Sequence, residues 1–234
     1  MIALDGVTIL TPAGTPILVA AHLHVDAGEV YALVGDRTPV PILVDTLLGF
    51  SKPQAGSIAV SGHSPATHPT EVRRLVTAIR TPSGLEPRLT VRANIRLLMC
   101  LDGRMAPRND AIDAALRESD LPDRRFDRPA AELTPFEERI VSLAVARLRA
   151  TPILLCENPT AGLAERDAAG LAILVRELAA TGRAVLITTD DAQFARAVAD
   201  RGAVLEHGTP VLDWMRSELP PVPAVYLPGP GHGQ

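Results

Sequence analysis

The predicted fold rests on EVYALVGDRTPVPILVDTLLGF, residues 29–50. Residues 29–35 form a short apolar run that closes on Gly35, which predicts a buried strand. Residues 42–50 have the length and apolar spacing of a helix. A strand, a loop and a helix in this order can hold an anion at the helix N-terminus. However, the loop contains neither glycine nor lysine between Gly35 and Gly49.

Before this stretch, strand-length runs at 2–10 and 16–25 flank turn-forming residues and predict a β-hairpin. The later pattern predicts further strands at 57–60, 153–156, 184–188, 203–205 and 210–212, and helices at 90–101, 109–119, 136–149 and 165–180. Strands that alternate with helices indicate a mainly parallel sheet covered by helices. We therefore predict an α/β fold with an N-terminal antiparallel β subdomain and an inserted helical lobe at about 82–150. The expected single domain is 1–213, and the Pro/Gly-rich tail at 214–234 is predicted to be disordered.

The composition excludes some classes of function. The chain has 23 basic and 27 acidic residues and no long basic run, which argues against a nucleic-acid partner. Cys100 and Cys156 lack metal-ligand spacing and fit a reducing compartment. The N-terminus has no basic segment typical of a signal peptide, and no apolar run has the ~18 residues needed to span a bilayer. We expect a cytoplasmic protein that reaches a membrane only through a partner.

Five phrases in this order carry a resemblance to a known family: GEVYALVG at 28–35, GFSKPQAGSIAVSGH at 49–63, PRLTVRANI at 87–95, ILLCENPTAGL at 153–163 and TGRAVLITTDDAQFARAVADRGAVLEHG at 181–208. Over residues 2–213 the chain resembles the ATPase domain of ATP-binding cassette (ABC) transporters. The resemblance implies a P-loop NTPase core, ATP and Mg²⁺ as cofactors, and a homo- or heterodimer of cassettes bound to a transmembrane permease.

The phosphate loop of that family reads G-x-x-G-x-G-K-S/T, and it cradles phosphate with backbone N–H groups, a lysine and a Mg²⁺-binding hydroxyl. The resemblance places this loop on Gly35, Asp36, Arg37, Thr38, Pro39, Val40, Pro41 and Ile42. Thr38 and Val40 replace glycines, Pro41 falls on the lysine and Ile42 on the hydroxyl. Pro39 and Pro41 also have no N–H to donate. Each lost charge-assisted contact costs roughly 1.5–3 kcal/mol, so we predict weak binding of ATP and Mg²⁺.

The other catalytic positions change in the same direction. Glu157 falls on the Mg²⁺-organising aspartate, and Asn158 on the glutamate that polarises water. Thr189 falls on the switch histidine and Thr81 on the glutamine that couples Mg²⁺ to the helical lobe. Asparagine cannot accept a proton at neutral pH. Glu157 is either a residual metal ligand or a buried carboxylate held by backbone N–H groups.

The signature segment, L-S-G-G-Q in the family, serves the nucleotide bound by the partner cassette. Here it reads Leu133, Thr134, Pro135, Phe136 and Glu137. Proline removes an N–H, phenylalanine adds bulk where a phosphate approaches, and the glutamate adds negative charge.

These changes predict a catalytically impaired cassette that docks on a permease, on an intact cassette or on both, at the inner face of the membrane. One alternative is a working ATPase with an altered loop that uses Arg37 and Glu157. Another is a soluble regulatory scaffold derived from a cassette.

Overall fold

The computed structural model describes residues 1–35 and 40–216. Its strands are β1 Ile2–Leu10, β2 Pro16–Val25, β3 Val30–Gly35, β4 Ala55–Val60, β5 Val76–Ile79, β6 Ile153–Glu157, β7 Ala184–Thr189, β8 Arg201–Glu206 and β9 Thr209–Met215. Its α-helices are α1 Val40–Leu47, α2 Pro69–Leu75, α3 Val91–Leu101, α4 Asn109–Glu118, α5 Pro135–Arg149, α6 Glu165–Ala180 and α7 Ala192–Val198. Two short 3-10 helices, Asp123–Arg125 and Ala130–Glu132, lie between α4 and α5.

Two sheets organise the chain. The larger one has the strand order β5-β6-β7-β3-β8-β9, and the smaller one has the order β2-β1-β4. In the larger sheet β3, β5, β6, β7 and β8 are parallel, and β9 is antiparallel to β8. The smaller sheet is antiparallel throughout. This confirms the predicted fold, including the opening hairpin.

Both faces of the larger sheet are buried, and β3 shows how the chain achieves this. Successive side chains of a strand point to opposite faces of the sheet. Val30 and Ala32 belong to the hydrophobic cluster that contains the packed faces of α3–α7. Tyr31 and Leu33 belong to the second cluster, which contains β1, β2, β4 and α1. This two-sided burial fixes the end of β3, at Gly35, in the middle of the sheet.

Asn94 of α3 bonds to the loop that leads into the helical lobe. This side chain is 1% exposed. Its Nδ2 donates to the carbonyl oxygens of Glu86 and Leu89, and its Oδ1 accepts from the Glu86 N–H. The cap of α3 is Thr90, whose hydroxyl accepts from the Ala93 N–H. The lobe helices predicted from the sequence correspond to α3, α4 and α5.

Several predicted boundaries differ from the structure. Helix α1 begins at Val40, two residues before the predicted start, and ends at Leu47 instead of residue 50. Strand β9 continues to Met215, beyond the boundary predicted at 213. The sequence also left α2 and β5 unassigned. Helix α2 has a single buried residue, Val72, and therefore lacks an apolar stripe. Residues 217–234 of the predicted tail lie outside the described residues.

Within residues 1–35 and 40–216, every helix is too short or too polar to cross a membrane.

Candidate functional site

The candidate site lies at the carboxyl edge of the larger sheet, where three central strands end. Residues 30–34 of β3 pair in register with β7, so Val34 lies opposite Thr189. On the other side of β7, Glu157 at the end of β6 lies opposite Thr188. Gly35 and Thr189 line the same small cleft, together with Leu43 of α1. The structure therefore brings together the predicted positions Gly35, Glu157 and Thr189, at the edge where α/β sheets bind ligands.

The phosphate-loop positions are described only at their ends. Asp36, Arg37, Thr38 and Pro39 lie outside the described residues. Gly35 ends β3, Val40 begins α1, and Pro41 is exposed in the first turn of that helix.

Ile42, on the predicted hydroxyl position, packs against the second hydrophobic cluster. The nearest hydroxyl along α1, that of Thr46, donates to the Ile42 carbonyl over 2.7 Å and contacts the Ser51 hydroxyl at 2.7 Å. Thr46 is itself 1% exposed. This arrangement keeps the Thr46 hydroxyl bonded to groups of the chain. Thr46 therefore does not replace the Mg²⁺-binding hydroxyl predicted at the position of Ile42.

An arginine that the sequence analysis did not single out occupies the centre of the site. Arg80 Nε donates to Glu157 Oε2 over 2.8 Å, and Arg80 Nη1 donates to Asp45 Oδ1 over 2.9 Å. The Glu157 side chain is 6% exposed, and those of Arg80 and Asp45 are 35% exposed. The guanidinium therefore joins a carboxylate of α1 to the carboxylate at the end of β6.

The electrostatics of this group follow from its burial. Desolvation raises the pKa of Glu157, while the charge and hydrogen bond of Arg80 oppose that rise without cancelling it. Desolvation lowers the pKa of Arg80, but its hydrogen bond to Asp45 and the charge of Glu157 outweigh burial and raise it. Among the described residues, the hydrogen-bond partner of the buried carboxylate is the Arg80 side chain. The sequence contains no signal for this contact, because Arg80 follows β5, a strand of four residues that the sequence left unassigned.

Asn158 and Thr81 lie beside this group. Asn158 has a positive φ of 42°, a conformation that asparagine tolerates well, and its N–H donates to the Thr188 carbonyl over 2.8 Å. The buried Asn158 Oδ1 has no hydrogen-bond partner among the described residues. The Thr81 hydroxyl donates to the carbonyls of Glu157 and Asn158 over 3.4 and 3.3 Å. The position next to Glu157 therefore carries a neutral amide, and the coupling position carries a short hydroxyl bonded to the backbone.

Thr189, at the position of the switch residue, is buried, with 2% of its surface exposed. Its hydroxyl accepts from the Asp191 N–H over 3.0 Å, and Asp191 in turn caps α7 by accepting from the Phe194 N–H over 2.9 Å. Thr189 thus stabilises the turn between β7 and α7, and it has no imidazole with which to contact a phosphate.

The signature positions form the N-terminus of α5, which the chain caps with its own side chains. Thr134 Oγ1 accepts from the Glu137 N–H over 3.2 Å, and Glu137 Oε2 accepts from the Thr134 N–H over 2.9 Å. This reciprocal pair is a capping box. Arg125 Nε donates to the other oxygen, Glu137 Oε1, over 2.7 Å. A negative charge, held by an arginine, therefore lies where the helix would otherwise attract an anion.

The remaining backbone donors of this turn are few. Pro135 has no N–H, and the Glu138 N–H donates to the Thr134 carbonyl over 3.0 Å. Leu133, just before the helix, packs against the larger hydrophobic cluster. Taken together, these contacts leave the first turn of α5 little capacity to bind a phosphate.

A family model described as "ABC transporter" matches residues 18–161, which is more than half of the 234-residue chain. The chain belongs to the ABC transporter family. Curated relatives agree with this assignment. The Arabinose import ATP-binding protein AraG 2 of Burkholderia ambifaria is 28% identical over 219 residues, which cover 89% of this chain and 41% of that protein. The Nod factor export ATP-binding protein I of Burkholderia orbicola is 28% identical over 190 residues, which cover 81% of this chain and 62% of that protein.

The chain therefore spans about two fifths of the length of the arabinose-import relative. Among solved structures, the dimeric structure of MJ0796, a bacterial ABC transporter cassette, matches with a TM-score of 0.79 and 21% identity, covering 92% of this chain and 99% of that one. The structure of CbiO1 from Clostridium perfringens, part of the CbiONQ ABC transporter complex, matches with a TM-score of 0.78 and 19% identity. These similarities show that the fold is that of an ABC cassette.

Phe136 lies at one of the predicted signature positions. It packs against the larger hydrophobic cluster, and its ring points at α6. A Cβ placed on Gly170 of α6 would lie 3.2 Å from Phe136 Cζ. The ring fills space beside α6, and its predicted effect on the approach of a phosphate stays a prediction.

Among residues 1–35 and 40–216, the two predicted Mg²⁺ positions do not carry a free hydroxyl or carboxylate group as an oxygen ligand. In P-loop NTPases Mg²⁺ is held by the hydroxyl that begins the helix and by the acid that ends the neighbouring strand. Here the first position is the packed Ile42, and the acid, Glu157, is bound by Arg80. Across residues 1–35 and 40–216, no group of three or more His, Cys, Asp or Glu side chains could hold a metal.

Proposed function

We propose that the chain is the nucleotide-binding-domain component of an ABC transporter and contributes little or no ATP hydrolysis of its own. The observation that carries this proposal is the N-terminus of α5. The Glu137 carboxylate accepts from the Thr134 N–H at 2.9 Å and from Arg125 at 2.7 Å, so the signature segment presents its own anion. A phosphate group would have to displace this carboxylate from the Thr134 N–H, and the carboxylate is also held by Arg125.

The second support is the absence of a catalytic base from the position next to Glu157. Asn158 cannot accept a proton from water at neutral pH. General-base catalysis contributes typically 10²–10⁴-fold to a rate, so this change alone predicts a large loss of hydrolysis. The alternative in which Glu157 supports a working ATPase gains no support from its contacts, because its carboxylate is held by Arg80 at 2.8 Å.

The retained fold supports a docking role. The buried clusters on both faces of the larger sheet preserve the shape of a cassette even where the side chains of the nucleotide site have changed. We propose that the chain binds a transmembrane permease, an intact cassette or both, and reaches the inner face of the membrane through that partner. The relatives named above serve import in one case and export in the other, so their names do not set the substrate or direction of this transporter.

Two measurements test the proposal. In the first, the tagged chain is purified from gently solubilised native membranes, and we expect a multi-span membrane protein to co-purify. Recovery of soluble proteins alone would favour the scaffold. In the second, phosphate release by the purified complex is compared with that of a complex carrying Asn158→Ala and Glu137→Gln in this chain. Equal rates are expected, and a large fall in the variant complex would show that this chain takes part in hydrolysis.

A further inference from the structure

The geometry points to Arg80 as a built-in cation that replaces the divalent metal at the carboxyl edge of the sheet, so that this edge excludes Mg²⁺. The inference rests on the proposed function only in taking this edge to be the former nucleotide site. It follows from three features of the site: the elements that Arg80 joins, the charge that it brings, and the ligands that it occupies.

Arg80 joins the same two elements that Mg²⁺ joins in a P-loop NTPase. Asp45 lies on α1, the helix after the phosphate loop, and Glu157 ends β6. The guanidinium reaches these carboxylates at 2.9 and 2.8 Å. Its planar fork of N–H donors suits the bridging of two carboxylates, and it does not lose its charge in proteins. The cation that links helix and strand is therefore part of the chain itself, at the residue that follows β5.

Arg80 compensates the buried charge of Glu157 without a metal. Arg80 contributes one positive charge against the negative charges of Glu157 and Asp45. Asp45 is partly exposed, so water screens the remaining negative charge. A divalent ion in the same place would have to share the carboxylates with a guanidinium that cannot deprotonate, and the two cations would repel each other.

The ligands for a metal are also occupied. Mg²⁺ requires near-octahedral oxygen coordination at 2.0–2.1 Å and is usually bound through one or two carboxylates together with waters and phosphates. In this chain Glu157 Oε2 and Asp45 Oδ1 each accept from Arg80. A metal ion bound by these two oxygens would have to displace the guanidinium from both of them. Removing the guanidinium, in contrast, would leave two carboxylates, each within hydrogen-bond distance of the space that the guanidinium filled, and carboxylates are the ligands that a divalent ion prefers.

The test is a titration with Mn²⁺ alone, followed by electron paramagnetic resonance, on the full chain and four variants: Arg80→Gln, Glu157→Gln, the double variant of both and Arg176→Gln. The wild-type chain is expected to show no saturable site. Arg80→Gln is expected to gain one site, which the double variant Arg80→Gln/Glu157→Gln loses. The matched control is Arg176→Gln, which removes an arginine that pairs with Asp200 at 2.9 Å elsewhere in the fold, and it should bind no Mn²⁺.

Three outcomes decide the inference. A saturable Mn²⁺ site in the wild-type chain that disappears in Glu157→Gln would overturn it, and this comparison does not depend on the folding of Arg80→Gln. A folded Arg80→Gln chain without the new site would also overturn it. Gain of the site by Arg80→Gln supports it, and a rise in the melting temperature of this variant alone on addition of MgCl₂ is the expected second readout. A large fall in phosphate release by the complex when this chain carries Asn158→Ala and Glu137→Gln would contradict the proposed function without altering any of these results.

Discussion

Substitution Arg80→Gln is expected to lower the free energy of unfolding by about 2–3 kcal/mol at pH 7. Breaking a fully buried ion pair by removing one partner costs about 3–5 kcal/mol, because the other charge is left unpaired in the interior. Glu157 meets that description, with its side chain 6% exposed. Arg80 and Asp45 are 35% exposed, so water replaces part of the lost interaction and the expected cost is smaller.

The expected loss depends on pH in a defined direction. Burial raises the pKa of Glu157 in the folded chain, and removing Arg80 takes away an interaction that lowers this pKa. A folded carboxyl with a raised pKa holds its proton at a pH where the unfolded chain has released it, so stability rises as the pH falls through the folded pKa. The destabilisation caused by Arg80→Gln should therefore shrink in acid, as Glu157 becomes neutral.

Urea unfolding at several pH values measures this effect, and a double-mutant cycle with Glu157→Gln isolates the pair. The Arg80→Gln/Glu157→Gln variant should recover part of the loss, since no buried charge remains unpaired. The matched control is Arg176→Gln, whose pair with Asp200 has side chains 40% and 34% exposed and should cost no more than about 1 kcal/mol. A loss below about 0.5 kcal/mol at pH 7, with no coupling to Glu157, would refute the reasoning.

Three other substitutions or modifications have defined outcomes. Gly202→Ala should lower the melting temperature, because an added Cβ would lie 2.4 Å from Trp214 Cζ2, and overpacking of this kind costs typically 1–3 kcal/mol. Thr134→Ala should cost about 1 kcal/mol in urea unfolding, because it removes the cap of α5, and an unchanged stability would argue against the capping box. Burial raises the pKa of the Cys156 thiol to about 12, so iodoacetamide at pH 8 should modify the exposed Cys100 alone in the native chain and both thiols after denaturation.

The elements that the sequence predicted well are those whose burial pattern is regular. Strands β1 and β2 lie at the predicted positions because an alternating pattern and a turn define them locally. Strand β5 has only four residues and pairs on one side with β6, so its stability comes from the sheet and not from a local pattern. Short elements of this kind depend on distant partners that a single sequence does not reveal.

The sequence predicted where the candidate site lies, but not which side chains contact each other there. The register of parallel strands brings Gly35, Glu157 and Thr189 to one edge, as the order of motifs implied. The Arg80 bridge depends on a residue 77 positions from Glu157, and sequence spacing does not indicate such a contact. The inward orientation of the Phe136 side chain could have been predicted from the sequence. Phe136 and Ile140 are four residues apart on α5 and share the face that packs inward.

Isothermal titration of MgATP into the purified chain tests the central claim most directly, since a cassette that neither coordinates Mg²⁺ nor presents a phosphate-binding signature should bind MgATP weakly. The account predicts no saturable heat in the micromolar range and the same result with ATP in the presence of EDTA. Micromolar binding of MgATP that EDTA abolishes would contradict it, because that result requires a metal site that Arg80 leaves open.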